Sequence, residues 1–392
     1  GISPIKIQEA NLLQDNDSFS YGQIATQVEA QNTWDSAKSL FNLESLEKEV
    51  EDFNSTHQNF KKGLALMPIT FGISFTNTPM NHARALVHIY QDGSVGISTA
   101  AVEMGQGVNT KMLQIAAQVF SIENSKVKIE TTNTTRVANT SPSAASSTAD
   151  LNGKALLKAC NLLRDRLKEI VAEDYKTQKE HIELKDEFVY INSEKTDLTW
   201  TALIGKAMEK RVALSENAHY ATPIIHFDKT KEKGHPFAYH VYGTAIITTT
   251  VDCTRGTYVF DDVKIVHDYG KSMSEGIDLG QVEGALVQGI GWMTMEEIAY
   301  NDKGKLLSNA LSTYKVPDIF SIPRNIDVIP LETQGNDMAV LKSKAVGEPP
   351  LMYGIGAYFA IQNAIKAFNP NYTLKFHAPM TPEKVLMSLY KK

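Results

Sequence analysis

The spacing of apolar positions changes several times along the chain, and each change marks an element. Residues 1–32 are polar and aperiodic and read as an irregular lead-in. From Thr33 to Phe53 the apolar residues Leu40, Leu43, Leu46, Val50 and Phe53 recur every three or four positions, which predicts a helix. After Lys61-Lys62-Gly63 the pattern turns to β-branched and aromatic residues over Leu64–Thr76, and Ala85–Tyr90 continues in that style. Asp92-Gly93 is a hairpin turn signal leading into Ser94–Thr99. A helical period then runs through Val108, Met112, Ile115, Ala116 and Val119. Lys126–Thr132 reads as a strand and Asp150–Tyr175 as a strong helix.

In the second half, Glu187–Asn192 predicts a short strand, Thr199–Arg211 a short helix, and Ser215–Lys233 a loop. Two long strands follow, Tyr239–Asp252 and Gly256–His267, with Cys253-Thr254-Arg255-Gly256 as their turn. Asp268–Asp278 is a polar connection. Leu279–Tyr300 predicts a buried helix whose glycines at 280, 284, 289 and 291 imply close approach of another backbone or a ligand. Ile326–Leu331 is a strand, and Thr381-Pro382-Glu383 starts a terminal helix, with Thr as cap and Pro in the first position. Strand clusters alternate with helices without strict βαβ order, so the fold class is α+β. The organisation expected is a leading segment with helices over 1–62 and one domain over 63–392, divisible into 63–235 and 236–392.

Composition narrows the function without naming it. At 392 residues, 42% hydrophobic and 21% charged, the chain has ample material for a core. A net charge of −6 argues against nucleic acid or an anionic membrane as partner. No apolar run approaches the ~20 residues of a membrane span, and the first residues lack a signal-peptide pattern. Cys160 and Cys253 make no metal-ligand spacing and fit a reducing, cytoplasmic setting. The chain opens without Met, as a fragment or processed product would.

Four stretches carry candidate chemistry. Glu348 precedes Pro349-Pro350 and the apolar run Leu351–Phe368, so it stands at a helix start, a position that suits an ionised carboxylate. By itself that is a plain helix start; partners elsewhere would make it a general base. Glu103-Met104-Gly105-Gln106-Gly107 lies between strand and helix, where two glycines let main chain approach a ligand and Gln106 brings an amide that donates and accepts. A bare strand-to-helix turn is the alternative. Asn133–Asp150 is almost wholly Asn, Thr, Ser, Ala and Pro, a linker by composition, or a tethered loop whose hydroxyls and N–H groups hold an anion. Gln281 opens a helix, as an ordinary polar start or as an amide aimed at a ligand.

Taken together, these stretches resemble the molybdenum-cofactor-binding C-terminal region of the xanthine dehydrogenase/oxidase family. The shared wording is Phe71-Gly72-Ile73-Ser74-Phe75-Thr76, Glu103-Met104-Gly105-Gln106-Gly107, Asn139-Thr140-Ser141-Pro142-Ser143-Ala144-Ala145-Ser146, Gln281-Val282-Glu283-Gly284-Ala285 and Lys344-Ala345-Val346-Gly347-Glu348-Pro349-Pro350, in family order. The resemblance runs from about residue 8 to the C-terminus. It implies a molybdopterin cofactor whose molybdenum carries oxo, sulfido and hydroxide ligands and takes no ligand from the protein. Glu348 then matches the catalytic base and Gln281 the amide near the metal's oxo ligand. Met104, Gly105 and Gln106 match a cofactor-binding turn, and Ala145, Ser146 and Thr148 the loop that holds the cofactor, Thr148 standing where relatives often have Ser. Phe75 and Thr76 match the aromatic and hydroxyl that handle a purine, with Ala144 and Ala145 also on the substrate side.

The resemblance implies hydroxylation of hypoxanthine and xanthine to urate. An aldehyde- or N-heterocycle-oxidising relative is the runner-up, and a catalytically silent cofactor-binding or assembly module is the alternative of a different class. FAD, [2Fe-2S] and the preceding half of the molybdenum region would lie on other domains or subunits, and the full enzyme would be a dimer. The isolated chain is therefore expected to bind cofactor weakly and not to turn over.

Overall fold

The computed structural model describes residues 2–137 and 140–390; Asn139, at the head of one of the shared motifs, lies outside them. The lead-in is not irregular throughout: a short helix, α1 (Pro4–Ala10), starts on Pro4. The single helix expected over Thr33–Phe53 is two, α2 (Ala30–Leu40) and α3 (Leu43–Thr56). Asn42 breaks it by adopting φ 49°, while its side chain accepts the Ser45 N–H at 3.4 Å. Asparagine tolerates the left-handed region and caps the next helix, and an apolar period cannot reveal that.

The chain continues through β1 (Phe60–Ile73), β2 (His82–Ile89), β3 (Val95–Thr99), α4 (Val108–Phe120), β4 (Val127–Ile129) and α5 (Thr148–Tyr175). An antiparallel meander follows, β5 (Ile182–Lys185), β6 (Phe188–Ile191) and β7 (Glu194–Thr199), then α6 (Trp200–Glu209). The stretch expected to be loop holds β8 (Ser215–Ala221), β9 (His226–Asp228) and the start of β10 (Lys233–His235). In β8, an edge strand, only Ala218 is buried, so its sequence carries no apolar alternation. Beyond it lie β11 (Tyr239–Asp252), β12 (Thr257–His267), α7 (Glu275–Thr294), β13 (Asn325–Pro330), α8 (Gly354–Phe368) and α9 (Pro382–Tyr390).

Two four-stranded sheets organise these elements. The first runs β1-β11-β12-β13, antiparallel except for the parallel β12–β13 pair. Its strands alternate: Ala65, Ala245, Ile247 and Ile265 face α7 and α8, while Leu66, Ile246 and Val266 face Trp34 and Ala37 of α2. The second runs β4-β3-β2-β8 and is covered by α4 and α5. Because β1 pairs with β11 from Phe60↔Asp252 to Ile73↔Tyr239, the sheets do not divide cleanly at residue 235. No helix among the described residues is long and apolar enough to cross a membrane.

Close approach occurs at two of the α7 glycines. A Cβ on Gly289 would stand 2.1 Å from the Leu351 carbonyl oxygen, and one on Gly291 2.3 Å from Pro317 Cγ. A Cβ on Gly354 in α8 would in turn stand 2.1 Å from the Gly289 carbonyl carbon. The Gly289 and Gly354 contacts are with backbone, so no flexible side chain can give way there. Gly354→Ala is expected to destabilise the fold by about 1–3 kcal/mol through overpacking. An unchanged urea unfolding midpoint would contradict this account of the α7–α8 contact.

Candidate functional site

The two sheets with their helices form separate cores, and a cleft of about 690 Å³ opens where they meet. One wall is the turn into α4. Gly105 and Gly107 take φ +103° and +74°, which folds the turn back so that the Glu103 carboxylate accepts the N–H groups of Gly105 at 2.9 Å, Gly107 at 3.0 Å and Asn109 at 3.0 Å. Partial burial pushes the Glu103 pKa up, but these backbone donors outweigh it and hold it below the usual value. The Gln106 carboxamide holds the same turn: its oxygen accepts the Met104 N–H at 2.6 Å and its Nε2 donates to the Val102 carbonyl at 2.7 Å. That leaves Gln106 one N–H for a ligand, fewer than an unengaged amide offers.

The Ser-Ala-Thr loop supplies the second wall. Ala145 and Ser146 both adopt left-handed conformations, φ 54° and 49°, and turn the chain into α5. No side chain caps that helix, so the first-turn N–H groups of Thr148, Ala149 and Asp150 lack intrahelical acceptors at the edge of the cleft. The composition that reads as linker is therefore a tethered loop. Ser141 bonds back to the Met80 carbonyl, and Ser146 Oγ accepts the Glu348 N–H at 2.8 Å.

Gln281, Gly284 and Gln288 of α7 and the segment 343–348 complete the cleft. Pro349 and Pro350 are buried in a short 3₁₀ turn, Pro349–Tyr353, that leads into α8 and leaves Glu348 exposed just ahead of it. The Glu348 carboxylate and the Gln281 carboxamide have no protein partner among the described residues. Two lysines on the wall are neutralised from behind: Lys111 meets Asp278 at 2.5 Å and Lys344 meets Asp268 at 2.5 Å, all four groups being nearly shut off from solvent. Asp150 is also buried, accepting the Tyr239 hydroxyl at 2.5 Å and the Val340 N–H at 2.8 Å.

The fold thus gathers Met104, Gly105, Gln106, Ala144, Ser146, Thr148, Gln281 and Glu348 around one cleft. Ala145 shapes the loop without lining the wall. Phe75 and Thr76 are also off the wall, in the loop after β1, where Asn81 accepts the Phe75 N–H and donates to its carbonyl, both at 2.8 Å. The sequence reading missed the buried charges Lys111, Asp150, Asp268 and Asp278, and it passed over Lys344 inside a quoted motif. The ion-pair partners lie 167 and 76 residues apart, so spacing gave no signal.

The profile of the molybdopterin cofactor-binding domain matches residues 36–323. The chain belongs to that family. Among curated relatives, xanthine dehydrogenase/oxidase of Gallus gallus is 36% identical over 98% of the chain, and xanthine dehydrogenase 1 of Arabidopsis thaliana is 35% identical over 99%. The chain spans only 27% and 28% of those proteins. Among solved structures, quinoline 2-oxidoreductase of Pseudomonas putida 86 superposes with a TM-score of 0.86 at 20% identity, covering 100% of this chain and 50% of that one. Aldehyde oxidoreductase of Desulfovibrio desulfuricans gives 0.80 at 22%, covering 99% and 38%. At these identities the two structures share the fold, and they carry no argument about substrate.

The cleft fits the family's cofactor. Its volume is that of a cofactor site, and a Cβ on Gly105 or Gly284 would meet no atom within 4 Å, so backbone lies bare to a ligand at both places. The unpaired α5 N–H groups and the Thr148 hydroxyl suit phosphate oxygens. The Gln281 and Gln288 amides suit neutral polar edges.

Asp150 gives this domain a pH signature. Burial raises its carboxyl pKa to about 6 from an ordinary 3.8, even though the bonds from Tyr239 and Val340 pull the other way. Between those values the folded chain holds a proton that the unfolded chain has released. The stabilisation is therefore full below about pH 4 and is lost as pH rises to about 6. Asp150→Asn cannot titrate, so the stability of wild type relative to this variant is expected to fall between pH 4 and 7, by at most roughly 3 kcal/mol. A constant difference in urea unfolding across that range would contradict the assignment.

Proposed function

We propose that this chain forms the cofactor- and substrate-facing part of a xanthine dehydrogenase-type molybdenum hydroxylase that converts hypoxanthine and xanthine to urate. The observation that carries the reading is the pairing of two free polar groups across one cleft, the Glu348 carboxylate and the Gln281 carboxamide, beside a donor-lined wall suited to phosphate. The bound molybdopterin cofactor would supply the oxygen-transfer and two-electron chemistry.

The chain's own groups do the rest. The Thr148–Asp150 N–H groups and the Thr148 hydroxyl would hold the cofactor's phosphate. Gln281 would orient the metal end through its amide. Glu348, with its backbone tied to Ser146 and its side chain unencumbered, would take up on a carboxylate oxygen the proton given up by the hydroxyl that is transferred to the substrate. Phe75 would offer a π-face and Thr76 a polar handle to the heterocycle, with Ala144 and Ala145 also assigned to the substrate side. Relatives named xanthine dehydrogenase, 34–37% identical along the whole chain, favour a purine over an aldehyde. FAD and [2Fe-2S] would sit on other parts of a dimeric cytoplasmic enzyme.

One observation favours a silent role for the chain alone: Phe75 and Thr76 stand off the cleft wall, so the substrate side is unfinished. The isolated chain is expected to retain cofactor weakly and to form no urate. Molybdenum at near one per chain together with urate formation would contradict that. In the whole enzyme, Glu348→Ala is expected to abolish hydroxylation, by roughly 10²–10⁴-fold or more, with molybdenum content kept; unchanged turnover would sink the base assignment. Phe75→Ala and Thr76→Ala are expected to raise KM for xanthine several-fold, and unchanged purine kinetics beside fast aldehyde oxidation would overturn the substrate class.

A further inference from the structure

We infer that Asp150 and Tyr239 act as positioning residues, a clasp that fixes where Glu348 stands against the start of α5. This rests on the reading of Glu348 as the base and adds the residues that aim it.

Three contacts tie the segment 340–348 to five consecutive residues, Ser146 to Asp150. Asp150 Oδ1 accepts the Val340 N–H at 2.8 Å. Asp150 Oδ2 accepts the Tyr239 hydroxyl at 2.5 Å, and the same hydroxyl oxygen accepts the Ala345 N–H at 3.1 Å. Ser146 Oγ accepts the N–H of Glu348 itself at 2.8 Å. The three residues that could carry the cofactor's phosphate, Thr148 to Asp150 at the α5 start, and the residue that takes the proton thus share one hydrogen-bonded frame.

The held span is under conformational tension. Leu341 and Lys342 take φ 48° and 66°, left-handed values that side chains disfavour, and such conformations persist only where surrounding contacts over-determine them. On the outer flank the Lys342 carbonyl accepts the Lys271 N–H at 2.8 Å and the Lys344 N–H donates to the Tyr269 carbonyl at 2.6 Å. The clasp is the inner counterpart. It is rigid because it is buried: Asp150 and Tyr239 are 7% and 6% exposed, and neither can exchange its bonds for water. Loss of the Tyr239 hydroxyl would free the Ala345 N–H and leave no bond to the α5 start between Val340 and the Ser146–Glu348 contact. Base catalysis needs placement within hydrogen-bond reach of the proton, so the loss should appear in turnover more than in binding.

The test uses Tyr239→Phe, which keeps the ring and removes only the hydroxyl. Tyr242→Phe serves as control, since that buried hydroxyl has no hydrogen-bond partner among the described residues. In the whole enzyme, Tyr239→Phe is expected to lower kcat about tenfold, with KM for xanthine and molybdenum content within about twofold. In a Glu348→Gln background it should cause no further loss, because it acts through Glu348. In the isolated chain, amides of 343–348 should exchange with deuterium about tenfold faster in Tyr239→Phe, with the β11 ladder and the Tyr242→Phe control unchanged. Unchanged kcat, an undiminished extra loss beside Glu348→Gln, or unchanged exchange at 343–348 would each overturn the clasp. Full activity of Glu348→Gln alone would instead overturn the base assignment, and the exchange experiment would still decide the clasp.

Discussion

The antiparallel ladder between β1 and β11 is the constraint on which the site depends. Fourteen residues of β1 run against fourteen of β11 in unbroken register, ending at Ile73 beside Tyr239. From that end, β1 continues into the loop of Phe75 and Thr76 and on to β2 in the other sheet. Tyr239, at the head of β11, reaches Asp150 at the start of α5. A one-residue slip of β1 against β11 would turn Leu66 toward α8 and Ala65 toward α2 while Ile246 and Ile247 kept their faces, so both apolar faces forbid it. The register that packs the sheet therefore also sets the distance between the two cores where the cleft opens.

Electrostatics then decides what the cleft shows to a ligand. Lys111 and Lys344 line it, yet Asp278 and Asp268 stand behind them and are themselves bonded, Asp278 by the Ser272 hydroxyl at 2.6 Å and Asp268 by Thr333 at 2.5 Å. Burying two such pairs is a poor route to stability, since desolvation offsets most of the attraction. Their effect is geometric: each joins segments remote in sequence, α4 to α7 and the 344 segment to the end of β12. The surface left to the ligand is made of amides, hydroxyls and helix N–H groups. Such a surface suits an oxygen-rich anion held by directed bonds and leaves the exposed carboxylate, Glu348, without a cationic partner among the described residues.

Much of this was legible in the sequence. Apolar periodicity located α4, α5, β11 and β12 to within a few residues, because each buries a continuous face; α7 was found but runs Glu275–Thr294, ending six residues before the expected Tyr300. It failed where burial is partial or local chemistry takes over. Ser215–Ala221 is an edge strand with a single buried side chain, and Asn42 divides a regular apolar pattern by its backbone conformation. At the site, small-residue turns and the Glu-Pro-Pro start were readable because each makes its own local geometry. The charges behind the wall were not, because what distinguishes Asp150 from any first-turn aspartate is a tyrosine 89 residues away and a backbone N–H 190 residues away.

Gln106 and Glu103 show how far motif reading reaches. The motif Glu-Met-Gly-Gln-Gly invites assignment of the amide to the ligand and the glutamate to the surface. In the fold the glutamate accepts two N–H bonds from the turn and one from the first turn of α4, and the amide braces the turn from inside. The turn's contribution to binding is then chiefly its shape: φ values that expose Gly105 to open space, held by side chains turned inward. The same division holds across the cleft, where Ser146 and Asp150 bind the protein's own backbone so that Thr148 and Glu348 remain free. A site built this way keeps its ligand-facing groups unpaired by assigning their neighbours to structure, and preorganisation of that kind is what lets a few directed contacts suffice.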